Sequence, residues 1–166
     1  TGSVLSSDYD DLVFGIAVNE GCIRSTIKDN TLYRLATGMR FMDNPNDPVY
    51  VTCNIMDENR IGLELVNTSI GEQGNATQPQ DNLWYIPTGL LGATNDNMLI
   101  VPNFWVRSLS LPDFPDINTQ MSPPNSIHSD ALFVVPGNPP NNCLYYCEYP
   151  EICTQKILAS IAIQEA

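Results

Sequence analysis

The sequence predicts an all-β domain, an antiparallel β-sandwich, jelly roll or barrel with two long loops and little helix. Three observations predict it. Short runs alternate apolar and polar residues with the two-residue period of half-buried strands. Proline, glycine and Asn/Asp clusters break those runs roughly every dozen residues, the spacing of sandwiches and barrels. No fixed-period repeat and no domain boundary is read, so residues 1–166 are expected to form a single β domain.

The elements follow in order. In "LVFGIAVN", Leu12, Phe14, Ile16 and Val18 share one face. "NEG" turns the chain into "CIRSTIK", where Ile23 and Ile27 oppose Arg24, Thr26 and Lys28. "TLYRLATGMRFM" also fits a helical stripe, but Gly38 weakens a helix and Thr and Tyr favour a strand. "DNPNDP" (43–48) is the strongest turn signal. After it, Val49, Val51, Cys53 and Ile55 are read on one face, and "DENR" is read as a hairpin into "IGLELVN", with Ile61, Leu63 and Leu65 inward. Residues 67–82 hold few large apolar side chains and no aromatics, and read as a long exposed loop. "LWYIP" and "MLIVPNFWVRSLSLP" are apolar runs broken by prolines, which confine them to strand ends or sheet edges. Trp105 is read as core. Residues 112–130 carry four prolines and read as a second long loop. "ALFVVPG" is a short buried strand, and "KILASIAIQ" a closing strand that would also suit a short helix.

Composition narrows the function. Net charge is −12, which repels phosphate backbones and anionic lipid, so nucleic acid is not an expected partner. No apolar run reaches the roughly 20 residues a membrane helix needs, so membrane insertion is not expected. Lys28 and Lys156 are the only lysines, and polarity comes from Asn, Ser, Thr, Asp and Gln. Such a surface suits a secreted or virion-surface domain. The basic residues Arg24, Lys28, Arg34 and Arg40 are read as solvating strand faces.

Five cysteines are present: Cys22, Cys53, Cys143, Cys147 and Cys153. A zinc site built from the last three and His128, the only histidine, lacks the two tight ligand pairs of structural zinc. All five are therefore disulfide candidates, with a bridge expected within 143–153 and Cys22–Cys53 as a possible second. Asn67-Thr68-Ser69 and Asn75-Ala76-Thr77 are glycosylation sequons, relevant to a glycoprotein. The acidic clusters at 8–11, 43–48 and 94–97 lack the spaced pattern of a calcium loop and are explained by turn chemistry. No metal or other cofactor is expected.

Catalysis has little to build on. A triad nucleophile needs a base, and His128 lies in "SPPNSIHSD", where Asp130 is two residues away. No paired-carboxylate spacing stands out. The reading is non-enzymatic. Binding is assigned to aromatics: Trp84 and Tyr85 at a strand mouth, and Tyr145, Tyr146 and Tyr149, which cannot all point inward from so short a segment. Tyrosine gives large contact area at low entropic cost.

The tail "SIAIQEA" (160–166) resembles the closing strand of adenovirus fibre heads, although the aromatic-threonine motif that opens many such heads is missing from "TGSVLSSDYDD". The resemblance implies a trimeric antiparallel sandwich that binds a cell-surface receptor or glycan. The function expected is therefore an extracellular, secreted or virion-surface recognition or structural domain. It would bind a protein receptor or carbohydrate through its loops and form a homo-oligomer that covers apolar edge runs such as "MLIVP". A secreted carboxylate-based hydrolase and a β-barrel carrying a small ligand are the alternatives.

Overall fold

Three dipeptides organise the chain: Asp29-Asn30, Cys53-Asn54 and Asp81-Asn82. In each, the first residue adopts a left-handed backbone, with φ of 59°, 58° and 51°. That conformation turns the chain sharply and, glycine aside, is tolerated best by Asp and Asn. The asparagine that follows points into the protein. The Asn30 amide group donates to Asn54 Oδ1 at 2.9 Å, 24 residues on, and the Asn54 amide donates to Asn82 Oδ1 at 3.0 Å, 28 residues further. Corners that recur in sequence therefore stack in space, and the chain is a solenoid.

The structure is a computed structural model that describes residues 13–19, 25–43, 49–75, 78–107, 109, 112, 114–131 and 143. The strands among them are β1 (Phe14–Val18), β2 (Thr26–Lys28), β3 (Thr31–Tyr33), β4 (Thr37–Met42), β5 (Tyr50–Thr52) and β6 (Ile55–Asp57). They continue with β7 (Ile61–Val66), β8 (Leu83–Tyr85), β9 (Leu91–Asn95), β10 (Asn103–Val106), β11 (Met121–Ser122) and β12 (His128–Ala131). All strand pairs are parallel. One sheet has the order β1-β4-β7-β9-β11, a second β3-β6-β8, and two short ones pair β2 with β5 and β10 with β12. Between β7 and β8 the chain continues this last side, since Gln73 bridges to Phe104 and Gln80 N donates to Trp105 O.

Like residues stack from coil to coil. Ile16, Met39, Leu63, Ala93 and Met121 hold one register position, and Val18, Phe41 and Leu65 the next inward one. On a second side Leu32, Met56 and Trp84 stack. Met39, Phe41, Leu63, Leu65 and Trp84 are fully buried. Trp84 meets Phe104 and Phe114 edge-on, with ring centroids 5.9 and 6.3 Å apart, so the second and fourth sides close over the same core. A glycine column keeps the coils close: a Cβ on Gly38 would lie 2.7 Å from Gly62 O, and one on Gly62 would lie 3.1 Å from the Trp84 ring.

This architecture overturns the antiparallel sandwich, jelly roll or barrel, and with it the fold that the fibre-head resemblance implied. Strand alternation is the same in both arrangements, so it cannot reveal the direction of a neighbour. "DENR" is a solenoid corner and not a hairpin; β7 pairs with β4 and β9. Face parity also changes at the left-handed corners. Beyond Cys53 the buried residues are Asn54 and Met56, while Ile55 is only half-buried. Trp105 pairs with Asp130 on the outer side of β10, and its neighbours Phe104 and Val106 fill the core instead.

The two expected loops are structural. Residues 67–82 bury Thr68, Ser69, Ile70, Gln73, Gln80 and Asn82. Gln73 alone accepts from Val51 N and donates to Val49 O and Ile70 O. Residues 112–130 contain core residues Phe114 and Ile127 as well as β11 and most of β12. The strand read at 157–163 lies outside the described residues, as does most of "ALFVVPG".

Candidate functional site

The outer side of the β3-β6-β8 sheet carries the most developed surface. Inward residues Leu32, Met56 and Trp84 anchor it. The next residue in each strand points out, so Tyr33, Asp57 and Tyr85 form one column on consecutive rungs. Tyr33 is 41% and Tyr85 46% exposed. Backbone bonds continue past the strands: Arg34 N donates to Asp57 O, and Glu58 N to Tyr85 O. Arg34 and Glu58 then turn the corner in left-handed conformations, with φ of 53° and 50°.

Charge is arranged around the tyrosines. Arg34 Nε donates to Glu58 Oε2, and its guanidinium carbon sits 4.9 Å above the centre of the Tyr33 ring. Asp57 lies between the rings. Burial pushes its carboxyl above the usual carboxylate range, Glu58 adds to this, and Arg34 opposes it. Beside the column is an open cleft of about 350 Å³ bordered by Asp57, Glu58, Tyr85, Ile86, Pro87 and Pro112. Pro112 O accepts from Trp84 N, which ties the far wall of the cleft to the sheet. The surface therefore offers two aromatic rings, a carboxylate acceptor between them and an apolar rim.

A second concavity of about 250 Å³ lies on the neighbouring side, beside Gly74 and Pro79. Tyr50, Thr52, Asn75 and Gln78 border it, and Tyr50 is 48% exposed. Its amides are largely committed: Asn75 Oδ1 accepts from Gln78 N, and Gln80 Oε1 from Asn82 N.

Of the binding residues expected from sequence, Tyr85 is on the surface and Trp84 is not. Trp84 is 1% exposed, because its position alternates with Tyr85 across the pleat. Its indole N–H has no acceptor among the described residues, and the ring edge packs over Gly62. Tyr145, Tyr146 and Tyr149 lie outside the described residues. Sequence reading missed Tyr33 and Asp57. The signal was present: "DNTLY", "CNIMD" and "DNLWY" share an asparagine, a large apolar residue two positions on and then Tyr or Asp.

The cysteines pair differently from the expectation. Cys53 and Cys143 are joined, with Sγ atoms 2.01 Å apart and both residues buried. Cys53 is therefore not bonded to Cys22, and Cys143 is not bonded within 143–153. Cys22, Cys147 and Cys153 lie outside the described residues. Asn67 of the first sequon is exposed but left-handed, and its side-chain amide donates to Asp43 Oδ1 at 2.9 Å. Asn75 of the second is exposed, while Ala76 and Thr77 lie outside the described residues.

The acidic turns act structurally where they are described: Asp96 Oδ1 accepts from Asn67 N, and Asn95 Oδ1 from Asn97 N. His128 is exposed on β12, and Asp130 accepts from Asn103. Of the four basic residues read as solvating strand faces, three meet carboxylates: Lys28 with Asp29, Arg34 with Glu58 and Arg40 with Glu64. Among the described residues no three His, Cys, Asp or Glu side chains gather as metal ligands.

No family model, curated protein or solved structure matches this chain.

Proposed function

We propose that this chain is a non-enzymatic recognition segment of an extracellular or virion-surface scaffold, and that the outer side of β3-β6-β8 binds carbohydrate. The observation that carries the reading is the Tyr33–Asp57–Tyr85 column on a sheet fixed from behind by buried Leu32, Met56 and Trp84. Tyrosine rings offer flat apolar faces to the C–H surfaces of sugars, and a carboxylate accepts hydroxyl hydrogen bonds. A preformed platform loses little entropy on binding. The Cys53–Cys143 pair supports an oxidising compartment. Self-association belongs to the same reading and is supported by the exposed apolar turn Met98, Leu99 and Ile100.

The test is a glycan array followed by titration calorimetry of any hit. Tyr85→Ala should weaken binding about tenfold or more and leave the circular-dichroism spectrum unchanged. Binding that is indifferent to Tyr85 would remove the assignment to this face. Light scattering in solution tests self-association, and a strictly monomeric chain would remove that part.

A second reading, a carboxylate-based hydrolase, is favoured by one observation: Asp57, whose carboxyl burial pushes above the usual carboxylate range, stands beside Glu58 in the cleft. Release of reducing ends from a glycan, lost in both Asp57→Asn and Glu58→Gln, would establish it in place of simple binding.

A further inference from the structure

Given a carbohydrate-binding face on β3-β6-β8, we infer that its ligand is an extended, non-acidic oligosaccharide lying along the solenoid axis, across the strands, with one sugar on Tyr33 and another on Tyr85. This rests on the reading above and adds direction, length and charge to it.

Direction follows from register. Tyr33 is opposite Asp57, and Asp57 opposite Tyr85. Neighbouring strands lie about 4.8 Å apart, so the two rings stand roughly 10 Å apart along the axis. A ligand running along one strand would touch one ring and then leave it at the strand's end, at Arg34 beyond Tyr33 or at Ile86 beyond Tyr85. Only a ligand that crosses the strands reaches both. The two rings have similar exposure, 41% and 46%; the Arg34 guanidinium lies over one face of Tyr33, so a sugar there would stack on the ring's other face.

Length follows from the same spacing. A span of two rungs is close to a disaccharide repeat in an extended β-linked pyranose chain. Sugars on the two rings would then be first and third in a row, with the middle sugar over Asp57. Three sugars are the shortest ligand that uses the whole column. The spacing is set before binding, because the residues under it are buried in stacked columns.

Charge follows from what surrounds the middle position. Asp57 and Glu58 are both there, and the nearby cation, Arg34, is already bonded to Glu58 and stacked on Tyr33. A uronic acid over Asp57 would set carboxylate against carboxylate, on a chain whose net charge is already −12. Hydroxyl, acetamido or amino groups would instead donate to Asp57.

The test is titration calorimetry with cello- and chito-oligosaccharides from one to six sugars, with oligogalacturonates of equal length for comparison. Affinity should rise about tenfold between the disaccharide and the trisaccharide, and oligogalacturonates should bind at least tenfold more weakly. Tyr33→Ala and Tyr85→Ala should each abolish the step, whereas Tyr33→Phe and Tyr85→Phe, which keep the rings, should retain it. Binding through Tyr85 without a length step, or a step that survives Tyr33→Ala, would overturn the axial arrangement while leaving carbohydrate recognition standing. Equal binding of oligogalacturonates would overturn the charge preference. No binding of any glycan to the folded chain would remove both this inference and the reading beneath it.

Discussion

Asn54 is the most heavily committed buried side chain among the described residues. It is completely buried, and it accepts from Asn30 N and Nδ2 while donating to Ile27 O, Thr52 O and Asn82 Oδ1. Removing it would take this partner from the part-buried Asn30 N, Ile27 O and Thr52 O and from the buried Asn82 Oδ1, at about 1–3 kcal/mol for each group left unsatisfied. Asn54→Ala should therefore cost about 3 kcal/mol or more, read as a lower urea midpoint. Asp57 predicts the opposite direction. Its folded carboxyl binds the proton more tightly than an ordinary one, whose pKa is 3.8. Both states are protonated well below that value; as pH rises through it, the unfolded chain ionises first and stability is lost. Asp57→Asn removes this loss. Melting temperatures of variant and native chain should coincide below about pH 3.8 and separate above it, the variant being the more stable at pH 7. Equal melting temperatures across the whole range would contradict the desolvation of Asp57.

At the scale of the strands, the glycine column decides how closely coils approach. Gly38→Ala would force a Cβ to within 2.7 Å of Gly62 O, which is backbone and has little room to yield. A destabilisation of about 1–3 kcal/mol is expected from that overpacking, again visible in the urea midpoint. Much at this scale was legible in the sequence. The alternation in "LVFGIAV" and "IGLELV" correctly puts Val18, Leu63 and Leu65 inward. What alternation does not encode is the direction of the partner strand, and the parallel pairing was lost there. The repeat was legible in principle, because Asn30 and Gly38 recur as Asn54 and Gly62 with the same spacing. It was hidden by the coils that follow, which lengthen: Asn54 meets Asn82 at a separation of 28, and Trp105 meets Glu72 at 33. The candidate site was half legible. An aromatic pair at 84–85 marks the strand, but only the pleat and the corner geometry decide that Tyr85 faces out and Trp84 in.

For the whole molecule, stability in a stacked solenoid is close to a sum of coil and neighbour terms, so a crosslink between distant points has a large effect on cooperativity. The Cys53–Cys143 bond closes a separation of 90 residues. On the chain-entropy account a loop of that length is worth about 4.6 kcal/mol. Reduction of the native chain and the Cys53→Ser substitution should lower the urea midpoint by the same amount, and reductant should have no further effect on the variant through this bond. A midpoint indifferent to both would mean that the bond does not form.

The rung-by-rung matching of side chains also has an arithmetic. Thr37 stands opposite Ile61, and Phe14 opposite Thr37, so splicing out residues 37–60 would slide Ile61 under Phe14 and bring Asn30 onto Asn82 without changing the phase of anything downstream. Losing a single residue from β7 would instead turn every later side chain to the wrong side. Inheritance of length changes in such a chain is quantised: whole circuits are gained or lost in the wall, and fractional ones are confined to the corners.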